Sequence, residues 1–129
     1  MAHILVAEDD TAIAKLLRVR LEHSGHTITA VADGVQALAC VHAQAPDLIV
    51  LDVMLPSLRG FQVARQLKLD ITTQDIPIVM LSARSDAQSM MAGIERGADV
   101  YLTKPIDFPE LLRSIETCLK HSALPTRRL

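Results

Sequence analysis

Four short apolar runs in this 129-residue chain each end at a polar residue suited to metal or phosphoryl chemistry. Ile4 to Ala7 runs into Glu8-Asp9, Leu48 to Leu51 into Asp52, Ile78 to Leu81 into Ser82, and Val100 to Thr103 into Lys104. If the runs are adjacent parallel strands, their carboxyl ends share one edge, the edge at which open α/β sheets bind ligands. Three carboxylates gathered without a cation would repel one another and raise their pKa values. Mg²⁺ is a hard ion that accepts a few carboxylates, a carbonyl and waters. A divalent cation facing a phosphoryl group, with the ammonium and hydroxyl alongside, is the chemistry this set points to.

Taken singly, each residue has an ordinary explanation. An acid after a strand usually caps the next helix, and Asp10 is read that way. Asp52, three residues before Leu55-Pro56 begins, could form a turn, Ser82 could cap a helix, and Lys104 could be a surface lysine. Lys104 precedes Pro105, which bars it from the α region and allows a cis peptide bond. The joint spacing of all four sites makes the signal. The histidines at 3, 23, 26, 42 and 121 show no ligand constellation and read as surface or packing residues, and Cys40 and Cys118, with no CxxC, read as reduced thiols.

The positioning elements follow from periodicity. Apolar runs of strand length alternate with helical patterns, the signature of βαβ units and a parallel sheet. Strands are expected near 3–7, 27–31, 47–52, 77–81 and 99–103; the first, third and fourth read as nearly continuous apolar runs and suit the centre, whereas Thr27 to Val31 alternates and suits an edge. The first helix starts after Asp10, turns Ile13, Leu16, Leu17 and Leu21 inward and ends at Gly25; the second spans about 35–44. The third, about 60–69, buries Phe61, Ala64 and Leu67, and the fourth, about 86–96, uses Ala87, Met90, Met91 and Ile94 before Gly97. The fifth, about 108–121, turns in Phe108, Leu111, Leu112, Ile115 and Leu119. One domain over residues 1–121 is expected, with 122–129 a loose tail or the start of a linker.

Composition narrows the function classes. A formal net charge of −2 gives no general attraction for nucleic acid or anionic lipid. No apolar stretch reaches the roughly 18 residues of a membrane span, and Met1-Ala2-His3 enters a strand without the basic segment of an export signal. With the reduced thiols, this predicts a cytoplasmic location.

Five segments together resemble the receiver domain of the two-component response-regulator family. They are Ile4-Leu5-Val6-Ala7-Glu8-Asp9-Asp10, Leu51-Asp52-Val53-Met54-Leu55-Pro56, Met80-Leu81-Ser82-Ala83, Gly97-Ala98-Asp99 and Tyr101-Leu102-Thr103-Lys104-Pro105, and they extend over residues 3 to about 120. The resemblance implies a flavodoxin-like α/β fold, a doubly wound (βα)5 sandwich with a parallel five-stranded sheet in the order 2-1-3-4-5. It implies that Asp52 is the phosphoacceptor, serving a sensor histidine kinase, a histidine phosphotransfer protein or a small phosphodonor. Glu8, Asp9, Asp52 and the Met54 backbone carbonyl would hold Mg²⁺, or Mn²⁺ in its place, and Lys104 would pair with a phosphoryl oxygen. Ser82 would bind another oxygen and Tyr101 would rotate inward, altering the face made by the fourth helix, fifth strand and fifth helix for a downstream effector. Such a domain has no enzymatic turnover.

Departures from the family pattern bear on output. In the subfamily that dimerises through that face, ion pairs cross the interface. Here Val100 and Ser114 stand at one pair of positions, and Ala92 lies opposite Glu110 at another. A monomer or weak dimer is expected rather than that dimer, with no direct nucleic-acid or membrane binding by this chain. The segment Leu69 to Pro77 resembles receivers of diguanylate cyclases, hybrid kinases and stand-alone regulators. Met54 and Arg84, at positions that in the family influence water access, predict a persistent phosphorylated state.

Other classes fit less well. A flavodoxin-type electron carrier needs a hydroxyl- and glycine-rich phosphate loop where this chain has Glu8-Asp9-Asp10. A haloacid-dehalogenase-type phosphatase needs a second acid where Met54 stands. The remaining alternative is a phosphorylation-independent protein-interaction receiver, against which the intact five-residue set argues.

Overall fold

A computed structural model describes residues 1–84 and 86–122 of the chain; the expected tail therefore lies, from residue 123 on, outside the described residues. Strands and helices alternate as β1 (His3–Ala7), α1 (Thr11–His23), β2 (Thr27–Val31), α2 (Gly34–Ala43), β3 (Leu48–Asp52), α3 (Gly60–Leu69), β4 (Ile78–Ser82), α4 (Ala87–Glu95), β5 (Val100–Thr103) and α5 (Phe108–Ser122). All strand pairs are parallel, in the order β2-β1-β3-β4-β5. The doubly wound, flavodoxin-like architecture is as expected, with β1, β3 and β4 central and each boundary within a residue or so of its predicted place.

Alternation along the strands divides the core into two layers. Leu5, Ala7, Ile49, Leu51, Ile78, Met80 and Tyr101 pack on the side of α2 and α3. Ile4, Val6, Leu48, Val50, Val79 and Leu81 pack on the side of α1 and α5, against Leu17, Leu21, Leu111 and Ile115. Helix starts are capped locally: Asp10 Oδ1 accepts from the Ala12 and Ile13 amides at 3.0 and 3.1 Å, and Asp86 accepts from the Ser89 amide at 3.0 Å. Lys68 Nζ ties α3 to the approaches of β4 and β5, donating to the Gln74 and Ile76 carbonyls and pairing with Asp99 at 3.2 Å.

The inward faces of three helices differ from expectation. Leu16 is 47% exposed on α1, where Leu17 and Leu21 alone are fully enclosed. On α4 the apolar set is turned outward: Met90, Met91 and Ile94 are 37, 63 and 49% exposed, Ala87 is exposed too, and Gly93 is the helix's buried residue. Ser89 and Ala92 are half-buried beside Gly93. Periodicity identifies a stripe but not which stripe meets the sheet, and here close approach selects the small residues. On α3, Phe61 is only partly buried and Val63 is enclosed with Ala64 and Leu67.

Candidate functional site

Register brings the strand ends to one edge. Asp52 is the last residue of β3 and Ser82 the last of β4. Past the ladders, Val53 N–H donates to Leu81 O at 2.9 Å and Lys104 N–H to Ser82 O at 2.7 Å, so the chain leaves the sheet with its spacing intact. The start of α3 presses on the same edge. A Cβ at Gly60 would lie 2.3 Å from the Asp52 carbonyl oxygen, so any side chain there would force the helix away.

Glu8, Asp9 and Asp52 each offer a carboxylate oxygen within 4.8 Å of the others, and among the described residues no other group of three His, Cys, Asp or Glu does so. Glu8 and Asp52 are 2 and 3% exposed, while Asp9 faces solvent. Lys104 Nζ lies 2.9 Å from Glu8 Oε1 and 3.3 Å from Asp52 Oδ2. Glu8 Oε2 accepts from the Asp10 amide at 3.1 Å, and Asp52 Oδ1 from the Met54 amide at 3.3 Å. The Lys104-Pro105 peptide is cis.

Electrostatics follow from this packing. Burial pushes the Glu8 carboxyl up and neighbouring Asp52 adds to the rise, against the hydrogen bonds from Lys104 and the Asp10 amide. Burial acts to lower the Lys104 ammonium, but its hydrogen bond to Glu8 and the charges of Asp52 and Glu8 outweigh it and leave it raised. A corner of oxygen donors holding three acids and one ammonium suits a hard divalent cation.

Ser82 and Tyr101 belong to the layer of the sheet that packs on α2 and α3. Ser82 is buried and continues the parity of Ile78 and Met80. Its Oγ accepts from the Arg84 amide at 3.0 Å, so it caps no helix; Asp86 does that. Tyr101 is 7% exposed and its hydroxyl donates to the Arg84 carbonyl at 3.0 Å. The two peptide groups of Arg84 thus join both side chains, a link the sequence cannot signal because any residue's backbone could make it. The Arg84 guanidinium turns to Asp86 at 3.1 Å. Met54 is 58% exposed, with its sulfur 3.3 Å from Arg59 Nη1, and both residues border a shallow cleft of about 450 Å³ beside Asp9.

A concavity of about 850 Å³ opens at the opposite pole, beside His26, Asp47, Asp75 and Glu116. There His26 holds Glu116 at 3.2 Å and accepts from the Ala2 amide at 3.3 Å, a packing role. The strand ends, not this cleft, carry converging chemistry.

The family model described as the response regulator receiver domain matches residues 4–116. The chain belongs to that family. As a receiver it is 40% identical over 122 residues to the DNA-binding dual master transcriptional regulator RpaA of Synechocystis sp., covering 95% of this chain and 51% of that protein. It is 42% identical over 121 residues to response regulator MprA of Mycobacterium ulcerans, covering 94% and 51%. The receiver therefore spans about half the length of the curated relatives it matches. Among solved structures, the receiver domain of Francisella response regulator 1452 superposes with a TM-score of 0.90 at 31% identity, covering 95% of this chain and 99% of that one. The receiver domain of the Pseudomonas aeruginosa sensor histidine kinase PA1611, a structure with magnesium coordinated in its active-site cleft, gives 0.85 at 28% identity, covering 92 and 98%. Receivers of this family bind Mg²⁺ at an acidic site and are generally not turnover enzymes. No helix among the described residues is long and apolar enough to cross a membrane.

Proposed function

We propose that this receiver takes a phosphoryl group onto Asp52. The observation that carries the reading is the Asp52 carboxylate itself, buried at the end of a central strand and flanked by Glu8, Asp9 and Lys104. An Asp52 oxygen attacks the phosphorus of a phosphohistidine; the O–P bond forms as the P–N bond breaks, and the electron pair leaves on the donor's imidazole nitrogen, which takes a proton from solvent. Lys104 releases Asp52 Oδ2 and meets a phosphoryl oxygen instead, so one ammonium serves both states. Glu8, Asp9, Asp52 and the Met54 carbonyl are the groups that would hold Mg²⁺, with Mn²⁺ as a substitute. Bound there, the ion supplies neutralisation of the developing oxyanion charge.

Signal passes from the site through Ser82, whose hydroxyl turns from the Arg84 amide to a phosphoryl oxygen, and on through Arg84 to Tyr101. Exchange at the first bond alters the loop that also holds the tyrosine hydroxyl, and with it the α4-β5-α5 face. The donor is a sensor histidine kinase or histidine phosphotransfer protein, and the recipient of the signal an effector domain or protein. Phosphorylation leaves the chain monomeric or weakly dimeric: Val100 and Ala92 are uncharged and half-buried. Light scattering that found a beryllofluoride-induced dimer broken by mutation of this face would refute that. Met54 beside the site shields the acyl phosphate from water, and the phosphorylated state persists; phosphate release within seconds would contradict it.

The test is intact mass after incubation with acetyl phosphate and Mg²⁺. Addition of one phosphoryl group that needs both Asp52 and the metal supports the reading. Equal addition to Asp52→Asn, or none where a control receiver is labelled and none with kinase, overturns it.

A further inference from the structure

Gly93 is a buried residue inside α4, where a helix would favour alanine over glycine. The backbone there has helical partners on both sides of the position, and Gly93 O also accepts from the Ala98 amide at 3.1 Å, so no unusual turn explains the choice. What occupies the missing side chain's place is Tyr101. A Cβ at Gly93 would lie 2.6 Å from Tyr101 Cδ2, 2.8 Å from Cε2 and 3.4 Å from Phe61 Cε1. The first two distances are shorter than any carbon contact can be. Phe61 backs the same space, with the Arg96 guanidinium 4.9 Å over its ring.

We infer that Gly93 is the positioning residue for Tyr101, because the buried place of the ring, on the flank of α4, exists only while position 93 lacks a side chain. The backbone of α4 and the ring share one volume. A methyl group at 93 expels the ring toward solvent or lifts the helix from β5, and either movement breaks the bond from the tyrosine hydroxyl to Arg84 O. Movement of Phe61 would not relieve the overlap, because the two shortest contacts are to the tyrosine ring itself. The consequence for signalling rests on the reading of Tyr101 as the switch. The positioning itself rests on the geometry alone. The three atoms nearest a side chain at position 93 belong to Tyr101 and Phe61, not to Glu8, Asp9, Asp52 or Lys104, so the acceptor chemistry is separable from it.

The chain carries one tyrosine and no tryptophan, so tyrosine fluorescence reports on Tyr101 alone. Acrylamide quenching is measured on the whole chain, without phosphodonor, for the wild type and Gly93→Ala. The expected result is a several-fold larger quenching constant in the variant, with uptake of phosphoryl groups from acetyl phosphate unchanged. A folded Gly93→Ala protein that quenches like the wild type overturns the inference. Should Gly93→Ala fold poorly, thermal melts in two backgrounds decide: the substitution lowers Tm in the wild type and leaves it level or higher in Tyr101→Ala, where the ring is gone and alanine's helix preference remains. An equal loss in both backgrounds means that Gly93 serves something other than the tyrosine, and the inference fails. Failure of the wild type to take up phosphoryl groups would overturn the acceptor reading and leave the quenching and melting results standing.

Discussion

The acidic corner and the α4 flank lie at the two sides of one strand end, and they are held by opposite means. At the corner, Glu8 and Asp52 are enclosed and an ammonium bridges them at 2.9 and 3.3 Å. On the flank, α4 is attached through a glycine and presents Met91 and Ile94 to solvent. Charge in a small volume makes the first region intolerant of change. Sparse burial makes the second cheap to move. The division suits a device in which chemistry must stay fixed while the responding surface shifts, with the Arg84 peptide groups as the join.

The comparison breaks most severely at Asp52. Asp52→Asn should abolish phosphoryl uptake, read by intact mass, while the melting curve stays cooperative; uptake at another acid would mean that the corner does not select one acceptor. Lys104→Met comes next. Removing the ammonium leaves Glu8 and Asp52 facing each other and should cost about 1–3 kcal/mol without metal, discounted for the lysine's partial exposure. Adding Mg²⁺ should raise the variant's Tm more than the wild type's, and an equal rise would show that the ammonium and the ion do not share a role. On the other side, hydrogen exchange should find α4 amides opening well before those of α5, which buries Leu111, Ile115 and Cys118. Equal protection would remove the contrast between the regions.

Smaller effects sharpen it. Met91→Gln should change stability by less than about 0.5 kcal/mol, because the side chain is 63% exposed. The smallest effect is at Asp86, the α4 cap. Hydrogen bonds from the Ser89 amide and hydroxyl, with Arg84 beside it, hold its carboxyl below its ordinary value of 3.8. A lowered carboxylate stabilises the folded state above that ordinary value, and the contribution disappears as pH falls through the lowered one. The Tm difference between wild type and Asp86→Ala should therefore be constant near neutrality and shrink only below about pH 4. A difference that persisted in stronger acid would assign the effect to something other than the ionised cap.

The same two regions differed in how plainly the sequence announced them. Glu8, Asp9, Asp52 and Lys104 were legible because a parallel sheet places the carboxyl ends of its central strands on one edge, and apolar runs mark strands well. Asp10 as a cap was legible from residue type alone. The outward stripe of α4 was not: Met90, Met91 and Ile94 have the spacing of a core face, and only the proximity of Tyr101 to Gly93 decides that the small residues turn inward. Nor could Gly60 be read as a contact on Asp52, since a glycine at a helix start is commonplace until its neighbour is seen. The contact of Arg84 with Ser82 and Tyr101 runs through peptide groups, on which side-chain identity is silent.

The acidic corner has one more consequence. Three carboxylates and one ammonium leave a formal charge of −2 there, the same as that of the entire chain, so the remainder of the molecule is balanced. The negative field of the corner draws cations toward the carboxyl ends of the strands. A divalent ion in that spot would bring the whole chain to zero formal charge.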